Sequence, residues 1–403
     1  MAEEKKLIII VAHALEIGGA ERALLGLLES FDYSKYQVDL FLMRHEGDLI
    51  NFIPDKVNIL PEIQEYTCLA VPMISVLKRE KWNIVLERLY AKYKAGSFVR
   101  RHHLPKDNGV ELEYSHKYTK KFMPEISKKK YDLAISFLTP HYFVAEKVIA
   151  KQKIAWIHTD YSYVAVDTDS ERQMWGKYDH IMSISDACTK GFQKKFPELR
   201  SKLVQTENII SPKFIREQAS MSDVSNEISI DGSIHLLSVG RFSFAKNFDN
   251  VPEICRLIME QGIQVKWYLI GYGGDEALIR QRIRENHMEQ SVIILGKRVN
   301  PYPYMKVCDV YVQPSRYEGK CVAVREAQIL GRPVVITEYP TAVSQLEDGV
   351  DGIIVPMENE KCASAIANLL KEKETLKRVA ENAELRNYGN AREIRKLYAL
   401  MED

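Results

Sequence analysis

The chain has 403 residues, 46% of them hydrophobic and 28% charged, with a formal net charge of +1. That length suits two domains or one large one with ample core, and the near-neutral balance argues against nucleic acid as a partner of the whole molecule. Six scattered cysteines, Cys68, Cys188, Cys255, Cys308, Cys321 and Cys362, include no Cys-x-x-Cys pair, so a reduced cytosolic protein without disulfide framework or zinc site is expected.

Lys5-Lys6, the run Leu7 to Val11 and Ala12-His13-Ala14 mimic a signal peptide, but the apolar core is too short for one. A five-residue aliphatic run followed by Ala12 reads instead as a buried parallel strand. No other run approaches the roughly 18 to 20 apolar residues of a membrane span, so a cytoplasmic protein with at most peripheral membrane attachment is expected. Gly18-Gly19 and the helical pattern of Leu24, Leu25, Leu27 and Leu28 follow. Together they make the first strand, turn and helix of a doubly wound sheet. The two glycines either make the turn or bring backbone close to a ligand. Gln37 to Met43 reads as the second strand.

From 62 to 130 the pattern becomes irregular and basic. Between Lys78 and Lys106 nine Lys and Arg stand against Glu80 and Glu87, a net charge of +7. Trp82, Ile84, Val85, Leu89, Tyr90, Tyr93 and Phe98 are interleaved with them. Two readings remain: an amphipathic basic stretch lying on an anionic membrane, or a solvated helix pair with its aromatics packed inward.

Order returns with the strands Tyr131 to Phe137, Ile154 to Ile157 and His180 to Ile184, each ending in polar residues. His158, beside Asp160, follows the second. At a strand's carboxyl end a histidine either hydrogen-bonds a ligand or serves the structure. Asp167-Thr168-Asp169 has the form of a metal and nucleotide motif, but no clear strand holds it, and we reject it as a metal site.

Thr206 to Pro212 reads as a linker, giving domains over 1–206 and 207–385. The second opens with the strand Ile234 to Val239, then Gly240, Arg241 and Lys246. This Arg and Lys can clamp a diphosphate or stand as solvated surface charge. Val265 to Ile270 precedes Gly271-Tyr272-Gly273-Gly274, whose spacing is not a dinucleotide fingerprint. Val292 to Leu295 precedes Gly296, Lys297, Arg298 and Val299.

Val310 to Pro333 spells strand, Pro-Ser break, loop, helix and stop, with Gly331 suited to the left-handed residue that closes a helix and Pro333 preventing its continuation. Glu318 falls in the loop and Glu326 about a turn inside the helix. The amino end of that helix attracts anions, while carboxylates accept from hydroxyls. A ligand carrying both phosphate and hydroxyls, such as a nucleotide sugar, satisfies both; an ordinary solvated helix end is the plainer alternative. The remaining strands are Val334 to Ile336 and Gly352 to Pro356, followed by helices at Cys362 to Leu370 and Ala391 to Met401.

Glu, seven residues, Glu, preceded by Pro-Ser and by Gly-Arg and Lys, and followed by Gly-x-Pro-Val-Val, resembles the signature of the retaining glycosyltransferases of family 4, also called group 1. The resemblance runs over nearly the whole chain. It implies the α/β GT-B fold, two doubly wound Rossmann-like domains facing a cleft, with a terminal helix at 386–403 returning to the first domain. It implies a metal-independent hexosyltransferase that needs no cofactor and moves a hexose from a nucleotide sugar, a UDP-sugar being favoured, onto a glycan or lipid-linked acceptor in polysaccharide assembly. By the same resemblance Arg241 and Lys246 hold the diphosphate, Glu326 the ribose, Glu318 the sugar, and the N–H groups of Gly319, Lys320, Cys321 and Val322 assist. Lys297 and Arg298 mark the nucleobase position, and Gly18, Gly19 and His158 approach the donor from the first domain. Lys320-Cys321 departs from the family's large apolar and small residue, which leaves the donor sugar open. A nucleotide-sugar 2-epimerase of similar fold and a non-catalytic glycan-binding protein are the alternatives.

Overall fold

A computed structural model describes residues 5–16, 18–105, 108–138, 141–162, 164–228 and 231–402. The chain divides into two compact units, one of Met1–Ile210 with Asn390–Asp403, the other of Ser211–Gly389.

The first unit is built on a seven-stranded parallel sheet. Its strands are β1 (Lys6–Ala12), β2 (Tyr36–Leu42), β3 (Asn58–Ile59), β4 (Lys130–Phe137), β5 (Ile149–Ile157), β6 (His180–Ser183) and β7 (Leu203–Gln205). Their order is β3-β2-β1-β4-β5-β6-β7, with Ile8 paired to Val38 on one side and to Leu133 on the other. Ile8 to Val11 are fully buried, as an aliphatic strand covered on both faces must be. The order reverses direction between β1 and β4, which is where doubly wound sheets place their ligands. The helix Ile394–Ala399 belongs to this unit, where Tyr398 stacks on Tyr36 at 4.3 Å and its hydroxyl accepts from the Asp32 N–H at 3.0 Å.

The second unit repeats the plan with β8 (Ile234–Val239), β9 (Val265–Ile270), β10 (Val292–Gly296), β11 (Val310–Gln313), β12 (Val334–Thr337) and β13 (Ile353–Val355). They form a six-stranded parallel sheet in the order β10-β9-β8-β11-β12-β13. Its core includes Leu236, Trp267, Leu269, Val310, Val312 and Val335, covered by helices such as Val251–Met259 and Asn359–Lys371.

The 62–130 segment is helical where the sequence pattern suggested irregularity. It contains Gln64–Thr67, Met73–Lys78, the twenty-residue Trp82–Arg101 and Val110–Thr119. Ile84, Val85, Ala91 and Ala95 pack inward, yet Trp82, Leu86, Leu89, Tyr90 and Tyr93 are exposed. Apolar residues on two opposite faces erase the 3.6-residue contrast by which an amphipathic helix is read. Lys106, counted in the basic stretch, lies outside the described residues, as do Ile17, Thr139, Pro140 and Tyr163 of the expected loops. All six cysteines are buried and free.

Candidate active site

In the second unit, three loops at the carboxyl ends of β8, β9 and β11 build the site. The glycines fix how closely the first two run. A Cβ on Gly271 would fall 1.9 Å from the Gly240 oxygen, and one on Gly273 2.2 Å from the Phe242 oxygen. Gly271-Tyr272-Gly273 thus lets two loops stack backbone on backbone. After Gly240 the chain turns through Phe244–Lys246 and closes with Asn247 at φ 59°, a left-handed position asparagine tolerates. Arg316 ties this loop to the one after β11. Its guanidinium grips Asp249 at 2.9 and 2.7 Å, donates to the Phe244 carbonyl at 2.7 Å and lies 4.2 Å over the Phe244 ring.

The clamp sets Lys246 against Glu318, Nζ to Oε1, at 2.5 Å. Ser315 donates to the same carboxylate oxygen at 2.6 Å, and a buried relay continues from Ser315 through Gln313 to Tyr311 at 2.9 and 2.7 Å. Thr341 donates to the Glu318 carbonyl at 2.8 Å. Burial works against the charge on Lys246, yet its pKa lies above the ordinary lysine value. The neighbouring Cys321 thiol is itself pushed up to about 12, by burial and then by Glu318. That thiol is protonated at neutral pH, so Glu318 is the anion that holds Lys246 charged.

The helix Val322–Ile329 starts at Cys321, and no side chain caps it. The Cys321 N–H is already given to Gln345 Oε1 at 2.8 Å. Of the expected N–H donors, that one is occupied by a residue the sequence reading did not single out. Glu326 is 1% exposed and accepts from the Tyr302 hydroxyl at 2.7 Å. Glu318 and Glu326 both act on the Cys321 thiol through space, which places the two carboxylates around one residue. Gly331, at φ 64°, closes the helix in the left-handed form expected of it.

Residues 223–386, nearly all of this unit, match the family described as Glycosyl transferases group 1. The chain carries a group 1 glycosyltransferase domain. A curated relative, the amylovoran biosynthesis glycosyltransferase AmsK of Erwinia amylovora, is 29% identical over 149 residues, 35% of this chain and 37% of its own. The chain spans between 37% and 57% of the length of the first curated relatives it matches. Among solved structures, a mutant of S. aureus TarM in complex with fondaparinux, alpha-GlcNAc-glycerol and UDP superposes with a TM-score of 0.68 at 15% identity. The match covers 99% of this chain and 100% of TarM. Anabaena Alr3699/HepE in complex with UDP gives 0.60 at 15% identity over 98% and 97%. These likenesses assign the GT-B fold.

Elsewhere in the glycosyltransferase domain the expected donor contacts fare unequally. Arg241 is exposed and makes no hydrogen bond or ion pair among the described residues. Arg298 is bound to Glu227 and to the Tyr304 hydroxyl at 2.8 Å, so its guanidinium is engaged within the domain. Lys297 lies 5.3 Å over the Tyr272 ring. Gly319, Lys320 and Val322 are half-buried beside Glu318 and Cys321 in the chain. Tyr339, 2% exposed with no partner for its hydroxyl among the described residues, is raised in pKa by burial and then by Cys321 and Glu318. Ser315 entered the sequence reading only as part of the Pro-Ser break, with no role; Thr341, Gln345, Tyr302 and Tyr339 were not singled out as site residues because no motif spacing marks them.

The first unit holds the remaining candidates. Gly18 caps the helix Gly19–Glu29 with extended backbone, φ −159°, that any residue adopts. A Cβ there would meet only the Glu21 carboxylate, at 2.1 Å, the end of a flexible side chain that can move aside. A cavity of about 260 Å³ beside it is lined by His13, Glu16, Ala20 and Glu21 among others, but by neither glycine. His158 follows β5 with its ring 4.3 Å from that of Phe137. Burial pushes its pKa down to about 3, and neither ring nitrogen has a partner among the described residues. Asp160 does not hold it, accepting instead from the Ser162 N–H at 2.8 Å. Asp167 caps the helix Thr168–Trp175 through the Ser170 N–H at 3.1 Å and accepts from the Tyr114 hydroxyl at 2.7 Å. A helix cap explains that residue without a metal.

Proposed function

We propose that the protein is a retaining hexosyltransferase that moves a sugar from a nucleotide diphosphate sugar to a glycan hydroxyl in polysaccharide assembly. The observation that carries this reading is the Lys246–Glu318 pair at 2.5 Å, set beside the buried Glu326 in a domain of the group 1 family. UDP in the TarM and HepE complexes and the amylovoran biosynthesis in AmsK's name favour a UDP-sugar and a glycan acceptor. A lipid-linked glycan remains within that class.

In this reading Lys246 leaves Glu318 for the diphosphate, and the exposed Arg241 joins it. Glu318, released, accepts a hydroxyl of the hexose, and Glu326 those of the ribose. The bond from sugar C1 to phosphate oxygen breaks as the acceptor oxygen bonds to C1 on the same face, and the acceptor proton passes to the departing phosphate. Lys246 and Arg241 stabilise the negative charge that grows there. The protein's own cations supply that stabilisation, so we propose a metal-independent reaction. The family resemblance assigns Gly18, Gly19 and His158 to the donor sugar, and Gly319 to Val322 with Lys297 and Arg298 to the nucleotide; we carry those assignments as part of the proposal. The basic, outwardly aromatic helix Trp82–Arg101 is proposed to rest on an anionic membrane surface.

The test is a thermal-shift screen of nucleotide sugars in EDTA and in Mg²⁺, because a ligand that binds only the native state raises the melting temperature. A shift with one UDP-sugar in EDTA, followed by acceptor-dependent release of UDP, is expected. A shift only with metal sinks the metal-independent mechanism, and sugar interconversion without acceptor reassigns the protein as a 2-epimerase.

A further inference from the structure

A second cavity, of about 170 Å³, lies wholly within the first unit. It is walled by the helix Val110–Thr119, the ends of β4 and β5, the helix His141–Lys147 and the helix Thr168–Trp175. An engineered cavity of roughly 150 Å³ holds benzene, so this one has room for a single six-membered ring.

Its chemistry is unusual for a gap in a core. Glu113 and Glu171, 8% and 5% exposed, both line it. Glu113 Oε1 accepts from Tyr142 and from Ser170, the latter at 2.5 Å, while its Oε2 is buried with no partner among the described residues. Glu171 Oε2 accepts from the Tyr161 hydroxyl at 2.7 Å and the Trp175 Nε1 at 3.1 Å. His158 adds two further ring nitrogens without partners. Among the described residues no Lys or Arg lines the cavity, and burial keeps His141 and His158 neutral, their pKa values pushed down to about 3. Leaving a buried carboxyl oxygen without a hydrogen-bond partner costs about 1 to 3 kcal/mol, so the wall offers hydrogen-bonding atoms that no described residue satisfies.

We propose that this cavity binds one uncharged pyranose ring, whose hydroxyls donate to Glu113 and Glu171 and whose apolar face lies against Tyr161 and Trp175. An anionic ring is disfavoured because the acidic side chains of Glu113 and Glu171 line the cavity and no Lys or Arg among the described residues lines it to pair with the ring's charge. Resting on the reading of the chain as a glycosyltransferase, this makes the ring a neutral sugar of the acceptor.

Binding is read directly, by saturation-transfer NMR on the full-length chain. The probes are the methyl α-pyranosides of glucose, galactose and mannose, with glucosamine and glucuronate as cationic and anionic controls. At least one neutral methyl glycoside is expected to give transfer. In Val166→Trp, which fills the cavity from its wall, that transfer falls at least tenfold, and Glu113→Gln weakens it. The UDP-sugar thermal shift of the same samples stays unchanged, which also shows the variants folded. Absence of transfer from every neutral glycoside to the wild type overturns the proposal, as does stronger transfer from glucuronate, transfer from glucosamine alone, or undiminished transfer in a folded Val166→Trp. Glycoside binding without any nucleotide-sugar shift would sink the glycosyltransferase reading and leave the cavity standing, and the reverse result would do the opposite.

Discussion

Lys246 and Glu318 show how a charged pair is kept ready at low solvent exposure, 18% and 11% for the two side chains. Each needs the other while no ligand is present, because either alone would be a part-buried charge without a partner. A diphosphate competes for Lys246 and a sugar hydroxyl for Glu318, so ligand binding replaces the pair with two new charge-assisted contacts. Lys246→Ala is therefore expected to lower kcat by about 100- to 1000-fold, the scale of removing one preorganised charge-stabilising group, with a folded protein by circular dichroism. Unchanged turnover would remove Lys246 from the mechanism. Glu171 supports a second residue-scale expectation. Burial raises its pKa to about 7, despite hydrogen bonds from Tyr161 and Trp175 and the field of Lys195, with Glu113 adding to the rise. A carboxyl whose folded pKa lies above its unfolded value of 4.5 costs stability as pH rises from that value through the folded one. Above that window the penalty is complete, roughly 3 kcal/mol. Glu171→Gln should gain on the wild type in urea melts at pH 8 by about that much more than at pH 4. An equal difference at both pH values would show that Glu171 titrates normally.

At the scale of elements, what was legible depended on whether a local pattern had one cause. β1, β8 and β11 are buried on both faces, and their aliphatic runs announce them. The helix Val322–Ile329 is bounded by Gly331, whose φ of 64° is a demand a sequence can display. By contrast β3 is two exposed residues and β7 three at a sheet edge, with no apolar run to betray them. Arg316 and Asp249 are 67 positions apart, and nothing local says that they join two loops. Asp249→Ala should cost about 2 kcal/mol, as for lost hydrogen bonds to a charged group, and should also weaken nucleotide-sugar binding by freeing the Lys246 loop. A stability loss with unchanged affinity would confine the clamp to a structural role. The helix Trp82–Arg101 misled the pattern because apolar residues cover both its faces. Trp82, Leu86, Leu89 and Tyr93 recur every three or four positions and are 47% to 67% exposed. Replacing Trp82, Leu86 and Tyr93 by serine is expected to reduce sedimentation with phosphatidylserine vesicles by at least about tenfold, since burying each such side chain contributes roughly 1.5 to 3 kcal/mol. Binding should also fall with salt, as attraction to anionic lipid does. A wild-type chain that stays in the supernatant at low salt would discard the membrane role.

Over the whole molecule, the repeated plan of strand, loop and helix was readable because each parallel strand sits in a hydrophobic layer of its own, independent of what lies far away. Of the charged residues the motif marks, the structure gathers Lys246, Glu318 and Glu326 near Cys321, while Arg241 stays exposed without a partner among the described residues. The hydroxyls and amides that hold them come from Tyr302 ahead of β11, from β11 itself and from the segments after β11 and β12, and their spacing follows from the sheet's geometry. Chain connectivity carries a further consequence. The second unit is one continuous segment, whereas the first is completed by residues from 390 onward. That return is fastened by the Tyr398–Tyr36 stack, the Asp32 N–H to Tyr398, and Lys396 to the Gln205 carbonyl at 2.9 Å. Asn390 adds two bonds, its Oδ1 accepting from the Ile210 N–H and its Nδ2 donating to the Asn208 carbonyl, at 2.9 and 2.8 Å. A chain ended after Gly389 loses all of these together while every residue of the glycosyltransferase domain remains. The truncated protein should melt in two calorimetric steps, with the first unit's transition moved down by several degrees and the second still raised by UDP-sugar. A single undivided transition that keeps the full-length melting temperature would show that the terminal helix contributes nothing to the first unit.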